Sequence, residues 1–194
     1  MGCEIAINRA WDELDHLSDQ VEYSIPFLTD NYSVRLKNRS VVGRSEAAAV
    51  PDHIVLLLLH YLIGIMKRQF CPSGQWVSFR SIWGGSSYYP AYRRAVLLPL
   101  IERFWADPKA LARALLSGLG GRAASGGDLS VDLATFPGVV VRVTLWSGEG
   151  AISPEAILLF DSHLPHLLAT EDIVVLHETV VGRALSLASD GPII

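Results

Sequence analysis

LSVDLATFPGVVVRVTL, running from Leu129 to Leu145, decides the fold. Leu129, Val131 and Leu133 alternate with Ser130, Asp132 and Ala134, and after Pro137-Gly138 the alternation resumes at Val139, Val141, Val143 and Leu145. A period of two on both sides of a turn pair predicts two strands joined by a short turn, because successive strand side chains point to opposite faces. Downstream, Ser147-Gly148-Glu149-Gly150 is expected to turn into a third strand, Ala156 to Phe160. Thr170 is then expected to cap a final helix with the stripe Ile173, Leu176, His177, Val180, Ala184 and Leu187. Upstream lies the longest apolar run, Ile54 to Met66, which reads as a buried helix started by Pro51 and Asp52 and closed by Lys67 and Arg68. An opening helix over Ile5 to Leu17 precedes a two-faced strand, Tyr32 to Leu36, which turns at Asn38-Arg39-Ser40 into a short partner at Val41-Val42. Pro90 to Phe104 reads as a helix that Pro99 should kink or break, and Asp107 as the cap of a second helix that Gly118 stops. Gly118 to Gly127 reads as the flexible stretch of the chain. Helices and hairpins segregate, so the expected class is α+β: a single domain over residues 1–194 with a mainly antiparallel sheet and several packed helices.

Composition bounds what such a domain does. Half of the 194 residues are hydrophobic and 19% are charged, which gives a sizeable core. The net charge of −4, with no basic cluster longer than the pairs Lys67-Arg68 and Arg93-Arg94, argues against nucleic acid or an anionic bilayer as partner. The apolar run is 13 residues long and is interrupted by His60, too short to span a membrane. Two cysteines, Cys3 and Cys71, can supply neither a disulfide framework nor four cluster thiolates. With no signal peptide, a reducing, cytoplasmic location is expected. The apolar surplus raises the expectation of a homodimer, burying the last helix or the second face of the Val139 strand, where Val140 accompanies Arg142.

Three groups carry chemistry. CPSGQWVSFRSIWGG, Cys71 to Gly85, brings Trp76, Phe79, Arg80 and Trp83 together beside glycines and prolines, the make-up of a wall that stacks on a flat ligand and pairs its carboxylate. The competing reading makes them a packed corner in which Arg80 pairs with an internal acid such as Asp161. His53 and His60 share one stripe of the buried helix with Gly64, and His60 sits in the apolar setting where an imidazole serves as axial ligand to a tetrapyrrole metal, such as haem or a corrinoid, or else as a satisfied core histidine. Asp161, His163 and His166 follow a strand end and match the first shell of a mononuclear metal in type, with Glu171 or Asp172 as supporting carboxylate or base; the competing reading is a local turn. Gly118-x-Gly120-x-x-Ala123 follows a helix and not a strand, so it is no dinucleotide fingerprint, and no nucleophile elbow is present.

The blocks LLLLHYL at Leu56 to Leu62, GQWVSFRSIWGG at Gly74 to Gly85, and ILLFDSHLPHLLATED at Ile157 to Asp172 resemble a prokaryotic family known as domain of unknown function 3786. The resemblance runs from about Tyr32 onward and implies a bacterial or archaeal protein of anaerobic type. Some relatives are described as iron-sulfur proteins because cysteine-rich segments accompany the domain; this chain lacks those cysteines, so cluster binding does not carry over. The family brings no established activity with it. The expectations are therefore a small-molecule-binding or accessory domain using His60, Trp76, Phe79, Arg80 and Trp83, with a metal-dependent enzyme using Asp161, His163 and His166 and a homodimeric interaction domain as alternatives. No cofactor follows from the sequence.

Overall fold

In the computed structural model, which describes residues 2–44, 48–148 and 152–189, the predicted hairpin is the centre of a five-stranded sheet. Its strands are β4 (Trp76–Ser78), β5 (Arg122–Ala123), β6 (Leu129–Phe136), β7 (Val139–Trp146) and β8 (Glu155–Asp161), ordered β4-β8-β7-β6-β5 and antiparallel throughout. The register places Val131 opposite Val143 and Leu133 opposite Val141, so the alternating valines and leucines fall on one buried face. The register shifts between Ala134 and Phe136, and the carbonyl of Thr135, in that irregularity, accepts from Leu28 N–H at 2.8 Å.

That bond ties in a second, three-stranded sheet: β1 (Glu22–Phe27), β2 (Asp30–Arg35) and β3 (Ser40–Val42). The alternation at Tyr32 to Leu36 predicts β2; β1 is not among the expected strands, although Tyr23, Ile25 and Phe27 alternate with Ser24 and Pro26 toward the core. Pro26 is tolerated since β1 is an edge strand, where a missing N–H breaks no ladder on the open side. Phe136 is stacked between Phe27 (centroids 4.5 Å apart) and Tyr61 (4.2 Å), which joins both sheets to the long apolar helix in one core.

That helix, α2 (Asp52–Lys67), packs against α1 (Gly2–Leu17) and against α7 (Thr170–Ser189). Gly64 lets the short α6 (Leu164–Leu167) approach closely: a Cβ there would stand 2.5 Å from Leu167 O. From α3 (Gly85–Tyr92) the helical path runs on through a π segment, Arg93–Leu97, into α4 (Leu98–Ala106). Pro99 therefore produces no break. The widened turn before it, closed by Leu98 N–H onto Arg93 O, accommodates the ring. Asp107 caps α5 (Pro108–Arg113) as expected, accepting from Ala110 N–H at 2.9 Å.

The Gly118 to Gly127 stretch contributes the edge strand β5, and a Cβ at Gly127 would meet Leu145 O at 2.4 Å, so its end lies close against β7. One local expectation is corrected. Thr170 does not cap α7: Ala169 O accepts the first helical bond, and the Thr170 hydroxyl instead donates to Trp83 O at 3.0 Å. On the last helix and the Val139 strand, the faces of the expected dimer, Val181 is buried in the core, while Val140, Val174 and Val175 are half-buried. Glu149 and Gly150 of the predicted turn lie outside the described residues. Among the described residues no helix is long and apolar enough to cross a membrane.

Candidate functional site

His60 is the strongly polar member of the otherwise apolar body of α2, and the helix turns it toward the start of α7. Its Nδ1–H donates to Asp172 Oδ1 at 2.8 Å, and Asp172 Oδ2 accepts from Ala169 N–H at 3.1 Å. Three residues past the N-cap, Asp172 thus makes the backward bond of a capping box, with a second oxygen left for the imidazole. A carboxylate can only accept, so this contact fixes the proton on Nδ1 and leaves Nε2 as the free nitrogen. The bond to Asp172 raises the His60 pKa above its ordinary value; burial opposes the shift, and the charges of Asp172 and Glu13 add to it.

The space beside His60 is a furrow of about 420 Å³ between the C-terminal end of α2 and the Pro165 to Ala169 segment. Gly64 forms part of its floor, and Glu13, Lys67, Arg68, His166 and Asp172 contribute polar groups. Glu13 is salt-bridged to Lys67. Arg68, His166 and Leu167 also line a second depression of about 310 Å³, shared with Cys71 and His163. An imidazole held by a carboxylate on one nitrogen and open on the other can donate, accept or relay a proton, or ligate a metal, at Nε2.

The expected metal triad is not assembled as a triad. Asp161 Oδ1 accepts from Ser73 N–H (2.9 Å), Ser73 Oγ (3.0 Å) and His163 N–H (2.9 Å), and Oδ2 accepts from Gly74 N–H (2.7 Å). Gly74 can present that N–H because its φ of 78° costs a glycine little. Burial alone would raise the Asp161 pKa; the N–H groups of Ser73, His163 and Gly74 outweigh it and hold the carboxyl below its ordinary value. Asp161 is therefore the clasp that fastens the Cys71 to Gly74 loop to the end of β8. His163 Nδ1–H donates to Cys71 O at 3.0 Å, and the His163 and His166 rings lie 5.2 Å apart. Among the described residues no three His, Cys, Asp or Glu side chains are grouped to hold a metal ion.

The aromatic set also divides. Phe79 is fully buried and stacks on Tyr92 at 4.2 Å. Trp76 lies on the outer sheet face beneath Arg142, 4.3 Å from its guanidinium carbon, and Arg142 makes a two-point pair with Asp132. Arg80 sits over Tyr89 at 5.3 Å. The pairing of Arg80 with Asp161 expected from the sequence is absent, because the backbone donors already satisfy Asp161. Trp83 is 91% exposed. Trp83 and His60 both reach the first turn of α7, through Thr170 and Asp172; two residues on a helix are about 200° apart, so they meet opposite faces of it.

Sequence reasoning names Asp172 as a supporting carboxylate beside Asp161, His163 and His166, whereas its imidazole partner is His60, and it places neither Glu13 nor Arg68 on the furrow. The basic pair after the apolar run was a visible signal for Arg68; Glu13 had none. His177, expected on the apolar stripe of the last helix, is wholly buried, with Nδ1 2.9 Å from the Tyr92 hydroxyl and Nε2 without a partner among the described residues. Burial pushes the His177 pKa down to about 3 and raises that of Tyr92.

Compared with known proteins, residues 12–183 match the family model described as Domain of unknown function (DUF3786). That match covers most of the 194 residues, and the chain belongs to this family. No curated protein and no solved structure matches it.

Proposed function

We propose that this DUF3786 member binds a small molecule in the furrow at the end of α2, with His60 Nε2 as its principal polar contact. The observation that carries the reading is the Asp172 carboxylate behind His60: it holds the ring in one tautomer and leaves Nε2 without a hydrogen bond among the described residues. The furrow volume falls within the range of small-molecule sites. Of the residues expected to bind ligand, His60 keeps that role, joined by His166 from the other expected set, while Phe79 supports the core. In the tetrapyrrole version of this reading, His60 Nε2 is the axial nitrogen.

The test is side-chain ¹⁵N spectroscopy of the histidines while a fragment library is added. The reading expects the His60 Nε2 resonance to move with at least one ligand class while His177 stays still. A library that moves neither His60 nor His166 overturns it. A visible spectrum of protein purified without oxygen decides the tetrapyrrole version: a Soret band lost in His60→Ala supports it, and a colourless protein ends it.

A further inference from the structure

The polar groups of the furrow are unequally committed. Glu13 is engaged by Lys67, and both oxygens of Asp172 are engaged, one by His60 Nδ1–H and one by Ala169 N–H. Both carboxylates that line the space therefore already have partners. Arg68 stands at the position common to both depressions and makes no salt bridge among the described residues. His166 is exposed there, its ring making no hydrogen bond among the described residues, and the second depression holds Arg68, Cys71, His163 and His166 with no acidic side chain among its described lining residues. What remains open to a guest is one guanidinium and imidazole nitrogens, a set rich in donors and poor in acceptors. A cationic guest would meet uncompensated Arg68; an anion would complete it.

We infer that the furrow takes an oxyanion, a carboxylate or a phosphate, seated on Arg68 between the imidazoles of His60 and His166. The inference rests on the small-molecule reading above and narrows it to one ligand chemistry. Guanidinium supplies paired N–H donors in the geometry of two oxygens on one carbon or phosphorus, and His60, with its Nδ1 proton held by Asp172, adds a third donor from Nε2 when it takes up a second proton with the anion.

The experiment titrates the full chain with inorganic phosphate and, separately, with malonate at constant ionic strength, following the histidine side-chain nitrogens. Saturable shifts of His60 and His166 with either anion are expected, and the anion that saturates at lower concentration identifies the class. Arg68→Gln, which keeps much of the aliphatic stem at an exposed helix end, should weaken binding about tenfold, as loss of a charge-assisted pair does. Arg113→Gln, outside the furrow, should leave it unchanged. Shifts that do not saturate, or that survive Arg68→Gln undiminished, overturn the inference. If uncharged fragments move His60 while both anions leave it still, the anion inference falls and the furrow stands; if nothing moves His60 or His166, both fall.

Discussion

His60 and His177 are both helix histidines bonded through Nδ1 to a side chain from a distant part of the sequence, yet they are opposite in chemistry. His177 meets a neutral phenol in a dry core, next to Phe160 and Tyr92, and is held neutral. His60 meets a carboxylate at the edge of a furrow, and its charged form is favoured. Partner charge and access to water, and not helix position or hydrophobic surroundings in the sequence, separate a structural imidazole from one available for binding.

The largest expected effect breaks the comparison from the His177 side. Its folded pKa lies below that of the unfolded chain, so protonation favours unfolding, and stability should fall as pH drops below about 6.5, by about 1.4 kcal/mol per pH unit. Two units down, the loss approaches about 3 kcal/mol. Urea unfolding across pH should show that acid limb in the parent and a flattened one in His177→Phe, whatever the variant's stability at neutral pH. A limb of equal slope in both would assign the acid sensitivity elsewhere.

Gly64→Ala sharpens the comparison from the furrow side. The new methyl would stand 2.5 Å from Leu167 O and 2.7 Å from Leu167 Cδ1, so α6 must move, at a cost of about 2 kcal/mol. The furrow is lined by the residues that shift, and the His60 and His166 resonances should change while His177 does not. Full stability with an unchanged His60 spectrum would mean that the α2–α6 contact does not shape the site.

The smallest effect is on the alkaline side. His60 has a raised folded pKa, so its contribution is complete below the unfolded value and is lost as pH rises through the folded one. Asp172→Asn should return the His60 titration toward its ordinary value and flatten the alkaline limb, leaving the acid limb intact. Together the two histidines place a stability maximum near pH 6.5, the ordinary value that both depart from. A His60 titration unmoved in Asp172→Asn would remove the carboxylate as the cause.

The class of fold was legible because period-two and helical patterns record which face of each element is apolar. The β6–β7 hairpin, β8, α2 and the Asp107 cap all follow from such patterns, and the resemblance carried by GQWVSFRSIWGG and ILLFDSHLPHLLATED holds for residues 12–183. Pro26 is accommodated on an open edge, and at Pro99 the helical path runs on through a π turn, both outcomes that tertiary context decides. The site residues were legible one by one and not as sets. Asp161 reads as a metal ligand until its four donors are seen, and three of those are backbone N–H groups, which leave no mark in composition.

By itself, the sequence determined the α+β class, the family, the buried α2 and the presence of a few imidazoles and carboxylates able to do chemistry. Only the tertiary structure decided their partners. Asp172 lies 112 positions from His60, and Ser73 lies 88 from Asp161, so each pairing depends on how α2, β8 and α7 pack against one another. Side-chain periodicity is a local property that a strand or helix displays along its own length, whereas hydrogen-bond partners and pKa values are set by whichever groups the folded core brings within a few ångströms.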